Sequence, residues 1–305
     1  MYVSRGLVVH SLPQGPHTGG YQSYPIPGIE EPKRKKSRIK HGVREWATKS
    51  VNFLDGCQHG CLYCYACCFK AGRMGKKLGL RPKDWTTPRV NPEMLKRSLR
   101  QAKRKERVVM YPSTHDIHPD NLGLHLQVIR VQVNNCDRLL IVSKPHLECI
   151  RAICDAFPEY KDKILFRFSI GSADSTVLGE WEPNAPTFEE RLECLKHAHK
   201  MGFQTSVSCE PMLDDHIEDV VEACRPYVTD AIWLGKINRL KSCLALNGHN
   251  SPTTLAAANK LTASQSDTRI NELYGKYRDD AKIKFKESIK RVVGIALSTV
   301  DGLDR

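Results

Sequence analysis

Cys57, Cys61 and Cys64 lie within eight residues of one another, in the string Gly56-Cys-Gln-His-Gly-Cys-Leu-Tyr-Cys-Tyr65. Thiolates suit iron–sulfur clusters and zinc, and three at this spacing can grip one compact metal centre. Held by three cysteines, a four-iron four-sulfur cluster keeps one iron open to another ligand, so the centre would be a reagent as well as a brace. The competing reading is a structural zinc site completed by Cys67 or Cys68. Such sites usually split their ligands into two separated pairs, and no second C-x2-C pair follows at that distance. Cys67 and Cys68 are instead expected to pack on a helix after the loop. Gly60, with no Cβ, lets the backbone wrap closely round the centre.

The elements that must carry this loop are legible as short apolar runs. Residues 51–54, 108–111, 139–142, 164–166, 203–207 and 231–234 read as six strands. Helical patterns fall between them at 122–133, 146–156, 187–201 and 215–224. Asn91-Pro-Glu93 supplies an N-cap, a first-turn proline and a first-turn acid for a helix to about residue 105. Continuous apolar strands separated by helices pair in parallel, with both sheet faces covered. Spacing alone fits either an open partial barrel or a doubly wound sheet.

The predicted strands end in polar groups on one side. After the cysteine loop come Ser113-Thr-His-Asp116, Ser143-Lys144, Ser169 and Ser172, Cys209-Glu210 and Lys236. In barrels of parallel strands the chemistry gathers at those C-terminal ends.

With Tyr63 just before its last cysteine, C-x3-C-x2-C resembles the signature of radical S-adenosylmethionine (SAM) enzymes. The longer string Gly-Cys-x-His-Gly-Cys-x-Tyr-Cys-Tyr-Ala resembles the spore photoproduct lyase-like branch. The resemblance implies a partial (β/α)6 TIM-type barrel, a 4Fe-4S cluster on Cys57, Cys61 and Cys64, and SAM chelated to the fourth iron. It also implies reductive cleavage of SAM to a 5′-deoxyadenosyl radical that abstracts hydrogen from a substrate. Lys144 in Ser-Lys-Pro and Ser169 in Arg-Phe-Ser-Ile match SAM-contacting positions of the branch. Residues 114–116 stand where many relatives carry Gly-Gly-Glu, so Asp116 is the expected partner of the methionine amino group. Tyr63 is expected near adenine, Tyr65 near cofactor or substrate, and Glu210 completes the cofactor set. Glu182-Pro-Asn-Ala-Pro-Thr followed by Glu190-Arg-Leu192 also resembles the branch. One departure matters: a lyase is expected to place a hydrogen-donating cysteine near Ser113. A serine O–H bond is too strong for that task, which argues against thymine-dimer repair by that route. Cys209 is expected as a core residue, and His59, His115 and His118 as ordinary hydrogen-bonded histidines.

Lysine and arginine number 47 against 34 aspartates and glutamates, for a net charge of +13. The excess is concentrated in residues 33–40 and 96–107, which favours polyanions such as nucleic acid, although the second run also fits a solvated helix face. Three segments are expected: a flexible basic tail at 1–40, the barrel at 41–240, and a polar loop with C-terminal helices at 241–305. No long apolar signal or membrane segment appears, and twelve cysteines then suit a reducing cytoplasm. A radical enzyme also needs a one-electron donor such as flavodoxin or ferredoxin. The reading from another class is a zinc-stabilised nucleic-acid-binding protein without catalytic activity.

Overall fold

The computed structural model describes residues 42–101 and 106–302. The tail expected over 1–40 lies outside them. A short strand, β1 (Lys49–Ser50), precedes an antiparallel pair, β2 (Leu54–Asp55) with β3 (Arg89–Val90). Then come β4 (Glu106–Tyr111), β5 (Cys136–Ser143), β6 (Ile164–Ser169), β7 (Gln204–Cys209), β8 (Ile232–Leu234) and β9 (Ile283–Phe285). The main sheet runs β1-β4-β5-β6-β7-β8-β9, and each neighbouring pair is parallel. Helices Leu122–Asn135, Leu147–Ala156, Phe188–Lys200 and Ile217–Cys224 cross between successive strands from β4 to β8. This is the α/β partial barrel, with seven strands where six were expected.

Alternation along each strand sorts side chains between the two faces. Val109, Tyr111, Leu139, Ile141, Phe166 and Phe168 pack in the large core shared with the helices. Met110, Leu140 and Leu165 point the other way, to an inner cluster with Trp46 and Trp233. That inner cluster also carries charge. The Arg167 guanidinium lies 4.5 Å from the Trp46 ring centre and 2.9 Å from Asp230. Lys286, fully buried, sits 2.9 Å from Glu45 and 3.3 Å from Glu210, over the Trp46 ring at 3.7 Å. Pairing and ring faces compensate these cations for lost water.

Four expectations about elements are corrected. The first strand stops earlier: Val51 N–H still donates to Met110 O, but Phe53 N–H turns to His115 and Leu54 pairs with Val90. The helix from Pro92 ends at Ser98, whose hydroxyl bonds back to Met94 O and across to Asn52 O, competing with the next turn. The polar stretch expected as a loop forms two helices, Leu240–Asn247 and Pro252–Ser264, the second capped by Ser251 with proline at its first position. Helix Asp267–Tyr277 is followed by β9, so the segment expected as wholly helical adds a strand to the sheet. Among the described residues no helix is long and apolar enough to cross a membrane.

Candidate active site

The loop after β2 is bent and clamped before it presents a thiol. Gly56 has φ +112°, and a Cβ there would lie 2.7 Å from Trp85 O and 2.8 Å from Pro88 Cα. Gly60 has φ +63° and would meet Thr86 at 2.9 Å. Only glycine adopts these conformations in so little space. Cys57 N–H donates to Trp85 O at 2.8 Å, and Leu62 N–H to Trp181 O at 2.9 Å. The Asn247 amide donates to Leu62 O and Cys64 O at 2.9 and 3.1 Å. Asn184 donates to Gln58 O at 3.1 Å. Distant parts of the chain therefore fix the motif's backbone.

Cys57, Cys61 and Cys64 all face one cavity of about 360 Å³ at the C-terminal ends of the strands. Tyr63, Asp116, Lys144, Ser169 and Glu210 line the same cavity, as do Tyr65, Ser113, Ser143 and Lys236. The structure thus brings together every cofactor-site residue named from the sequence. Cys209 is a fully buried core residue, as expected, and Ser172 turns aside to hydrogen-bond Asp214. Ser113 is fixed by Asn52, whose side chain donates to its hydroxyl at 2.8 Å and accepts from its backbone N–H at 2.8 Å. The Tyr65 hydroxyl donates to Ser113 O.

The wall of the cavity is electrostatically tight. Asp116 Oδ1 accepts from the Ser143 hydroxyl, from Lys144 N–H at 3.0 Å and from Ile117 N–H at 3.2 Å. Its other oxygen lies 3.2 Å from His59 Nδ1. Burial alone would raise this carboxyl, but His59, Lys144 and the Ser143 hydroxyl outweigh it and hold Asp116 well below the usual carboxylate range. Lys144 shows the opposite balance: burial favours the neutral amine, yet Cys61, Tyr63, Glu182 and Asp116 keep it a cation far above the usual range. Withdrawal from water, reinforced by Glu182, Cys64 and Asp116 against the opposing Lys144, pushes the Cys61 thiol up to about 12, and Cys57 and Cys64 are raised by burial too. Three thiols so placed resist ionising beside one another, and a cationic metal centre relieves that penalty.

Some partners were not assigned to the site from the sequence. His59 is fully buried and shares a 2.9 Å hydrogen bond with His146. Glu182 and Arg191, noted only as part of a resemblance, form a buried ion pair behind Tyr63 and Lys144. These contacts are tertiary and carry no local spacing signal. Asn247 had a faint one, since an asparagine followed by glycine closes a helix, and Gly248 has φ +85°.

Residues 51–225, more than half of the chain, match the family model described as "Radical SAM superfamily". The chain belongs to the radical SAM superfamily. Members are enzymes whose cofactors are a 4Fe-4S cluster and SAM. An uncharacterised protein of Acidianus two-tailed virus, ORF301, is 27% identical over 187 residues, and the match covers 58% of this chain and 60% of the viral protein. This radical SAM chain is also similar to a solved spore photoproduct lyase variant with a dinucleoside spore photoproduct, at 17% identity and a TM-score of 0.49, covering 72% of this chain and 64% of that one. Streptococcus suis SuiB bound to S-adenosylmethionine is 11% identical with a TM-score of 0.46, covering 84% and 54%.

The donor set suits the superfamily's cluster. A four-iron cluster takes its three thiolates on three different irons, so its ligands surround a body instead of converging on a point. Three cysteines face a shared cavity that also holds a lysine cation and an aspartate, the charges that complement the two ends of an amino acid.

Proposed function

We propose that this protein is a radical SAM enzyme in which Cys57, Cys61 and Cys64 hold the 4Fe-4S cluster while Tyr63, Asp116, Lys144, Ser169 and Glu210 form the SAM-facing wall. One observation carries the reading: all eight residues line a single cavity at the strand ends. When bound, cluster and SAM supply a 5′-deoxyadenosyl radical that abstracts a hydrogen atom. The chain's own residues bind and orient. Lys144 offers a permanent cation to the methionine carboxylate, and Asp116 keeps a negative charge toward the amino group. The Tyr63 ring, with Lys144 Nζ 5.9 Å from its centre, presents an aromatic surface for adenine. The Ser169 hydroxyl serves cofactor oxygens. A one-electron donor of the flavodoxin or ferredoxin type supplies the reducing electron.

Nucleic acid is the substrate class that the surface favours. Between Lys70 and Arg89 the chain carries seven basic residues and one acidic residue, Asp84. Arg73, Lys76, Lys77, Arg81, Lys83 and Arg89 are exposed. Tyr65 and Phe69 are 57% and 56% exposed immediately before this run, and Tyr65 lines the cavity. Cations beside exposed rings suit phosphates beside bases. Ser113 in place of a hydrogen-donating cysteine favours a reaction other than lyase-type dimer repair.

The reading is tested by reconstituting the protein with iron and sulfide under anaerobic conditions and recording its reduced electron paramagnetic resonance spectrum with and without SAM. A cluster signal that SAM reshapes, absent from Cys61→Ala, is expected. A colourless protein holding one zinc would contradict it.

A further inference from the structure

Glu182 and Arg191 belong to no part of the cavity lining, yet they touch three residues that do. Glu182 follows helix Ser175–Trp181 and is 2% exposed; Arg191 lies in the first turn of helix Phe188–Lys200 and is fully buried. One Glu182 oxygen accepts from the Tyr63 hydroxyl and lies 3.8 Å from Lys144 Nζ. The other lies 2.5 Å from an Arg191 terminal nitrogen. Arg191 also donates to Pro186 O at 2.8 Å and to Ser169 O at 3.1 Å. One pair behind the wall therefore reaches Tyr63, Lys144 and Ser169 at once.

The unequal distances decide what the pair does. A carboxylate between two cations favours the one that meets it more closely, and Arg191, with one nitrogen 2.5 Å from Glu182 against 3.8 Å for Lys144, holds that place. Lys144 is left at a distance where its ammonium keeps most of its charge available to the cavity. Without Arg191, a buried Glu182 would have Lys144 as its nearest cation and would close on it.

We infer that Glu182 and Arg191 are the positioning pair of the SAM site: Arg191 draws Glu182 away from Lys144, Glu182 fixes the Tyr63 hydroxyl, and Lys144 stays free to bind a carboxylate. This rests on the assignment of the wall to SAM proposed above.

The test is SAM affinity, by calorimetric titration of anaerobically reconstituted protein, with iron and sulfide content measured for every variant. Arg191→Met should weaken SAM binding about tenfold or more at unchanged cluster content, since a desolvated charge partner is worth that much. Arg191→Lys should recover most of the loss. In a Lys144→Met background, Arg191→Met should add no further loss, because the lysine it acts through is gone. Equal losses with and without Lys144, or no loss at all, would overturn the inference. Should Arg191→Met fail to fold, Arg191→Gln, which is uncharged but can still hydrogen-bond Glu182, carries the same comparison with and without Lys144→Met. A loss of SAM affinity that the Lys144→Met background abolishes supports the inference, and equal losses in both backgrounds, or none, overturn it. A fully loaded wild type that does not bind SAM would instead refute the assignment of the wall.

Discussion

His115 shows how a cavity-lining residue can be both chemically suggestive and structurally committed. Its Nε2 accepts from Phe53 N–H at 3.2 Å, and its Nδ1 lies 3.1 Å from Asp116 O, which fits the neutral tautomer protonated at Nδ1. Burial lowers it to about 4 from an ordinary value of 6.5. The folded state therefore takes up this proton at lower pH than the unfolded chain. Stability is complete above about pH 6.5 and falls as pH drops toward 4, by roughly 3 kcal/mol for this one group. Melting followed by circular dichroism should show a lower midpoint at pH 5 than at pH 7.5, with His115 ring resonances unchanged between those values. A ring that titrates near 6.5 would contradict this account. At this scale the sequence is most informative where function is local. Cys57, Tyr63 and Lys144 sit in short strings, whereas the link from Arg191 through Glu182 to Tyr63 spans 128 positions, exists only after folding, and leaves no trace in spacing.

Among the elements, the cysteine loop depends on backbone that only glycine can adopt. Gly56→Ala must displace Trp85 and Pro88 backbone or abandon φ +112°, and either should cost roughly 2 kcal/mol or more and disrupt cluster uptake. Gly248→Ala provides the contrast: φ is +85°, but nothing lies within 4 Å, so about 1 kcal/mol of strain is expected with normal iron content. Iron analysis and thermal melts of the two variants check this, and equal iron content in both would contradict it. The strands from β4 to β8 were legible because apolar runs of that length have few alternatives once both faces are covered. β9 was not, since Ile283-Lys-Phe285 is three residues long with lysine at its centre and on both sides. Helix Pro252–Ser264 was missed because Thr, Ala and Asn give it little amphipathic contrast, although Ser251-Pro252 marked its start.

For the whole molecule, a net charge of +13 becomes meaningful through its placement. Lys76 and Lys77 are exposed on the run that follows the cavity's Tyr65. If phosphates dock there, replacing both with glutamate should weaken single-stranded oligonucleotide binding about tenfold at 0.1 M salt and flatten the dependence of affinity on salt. Fluorescence anisotropy at several salt concentrations measures both, and an unchanged slope would remove this run from the interface. The radical SAM activity proposed above can be tested directly. The most direct measurement is 5′-deoxyadenosine formation when the reconstituted, reduced protein is given SAM. The account predicts its production by wild type and its loss in Cys57→Ala, Cys61→Ala and Cys64→Ala; deoxyadenosine from any of those variants, or none from fully loaded wild type, would contradict it.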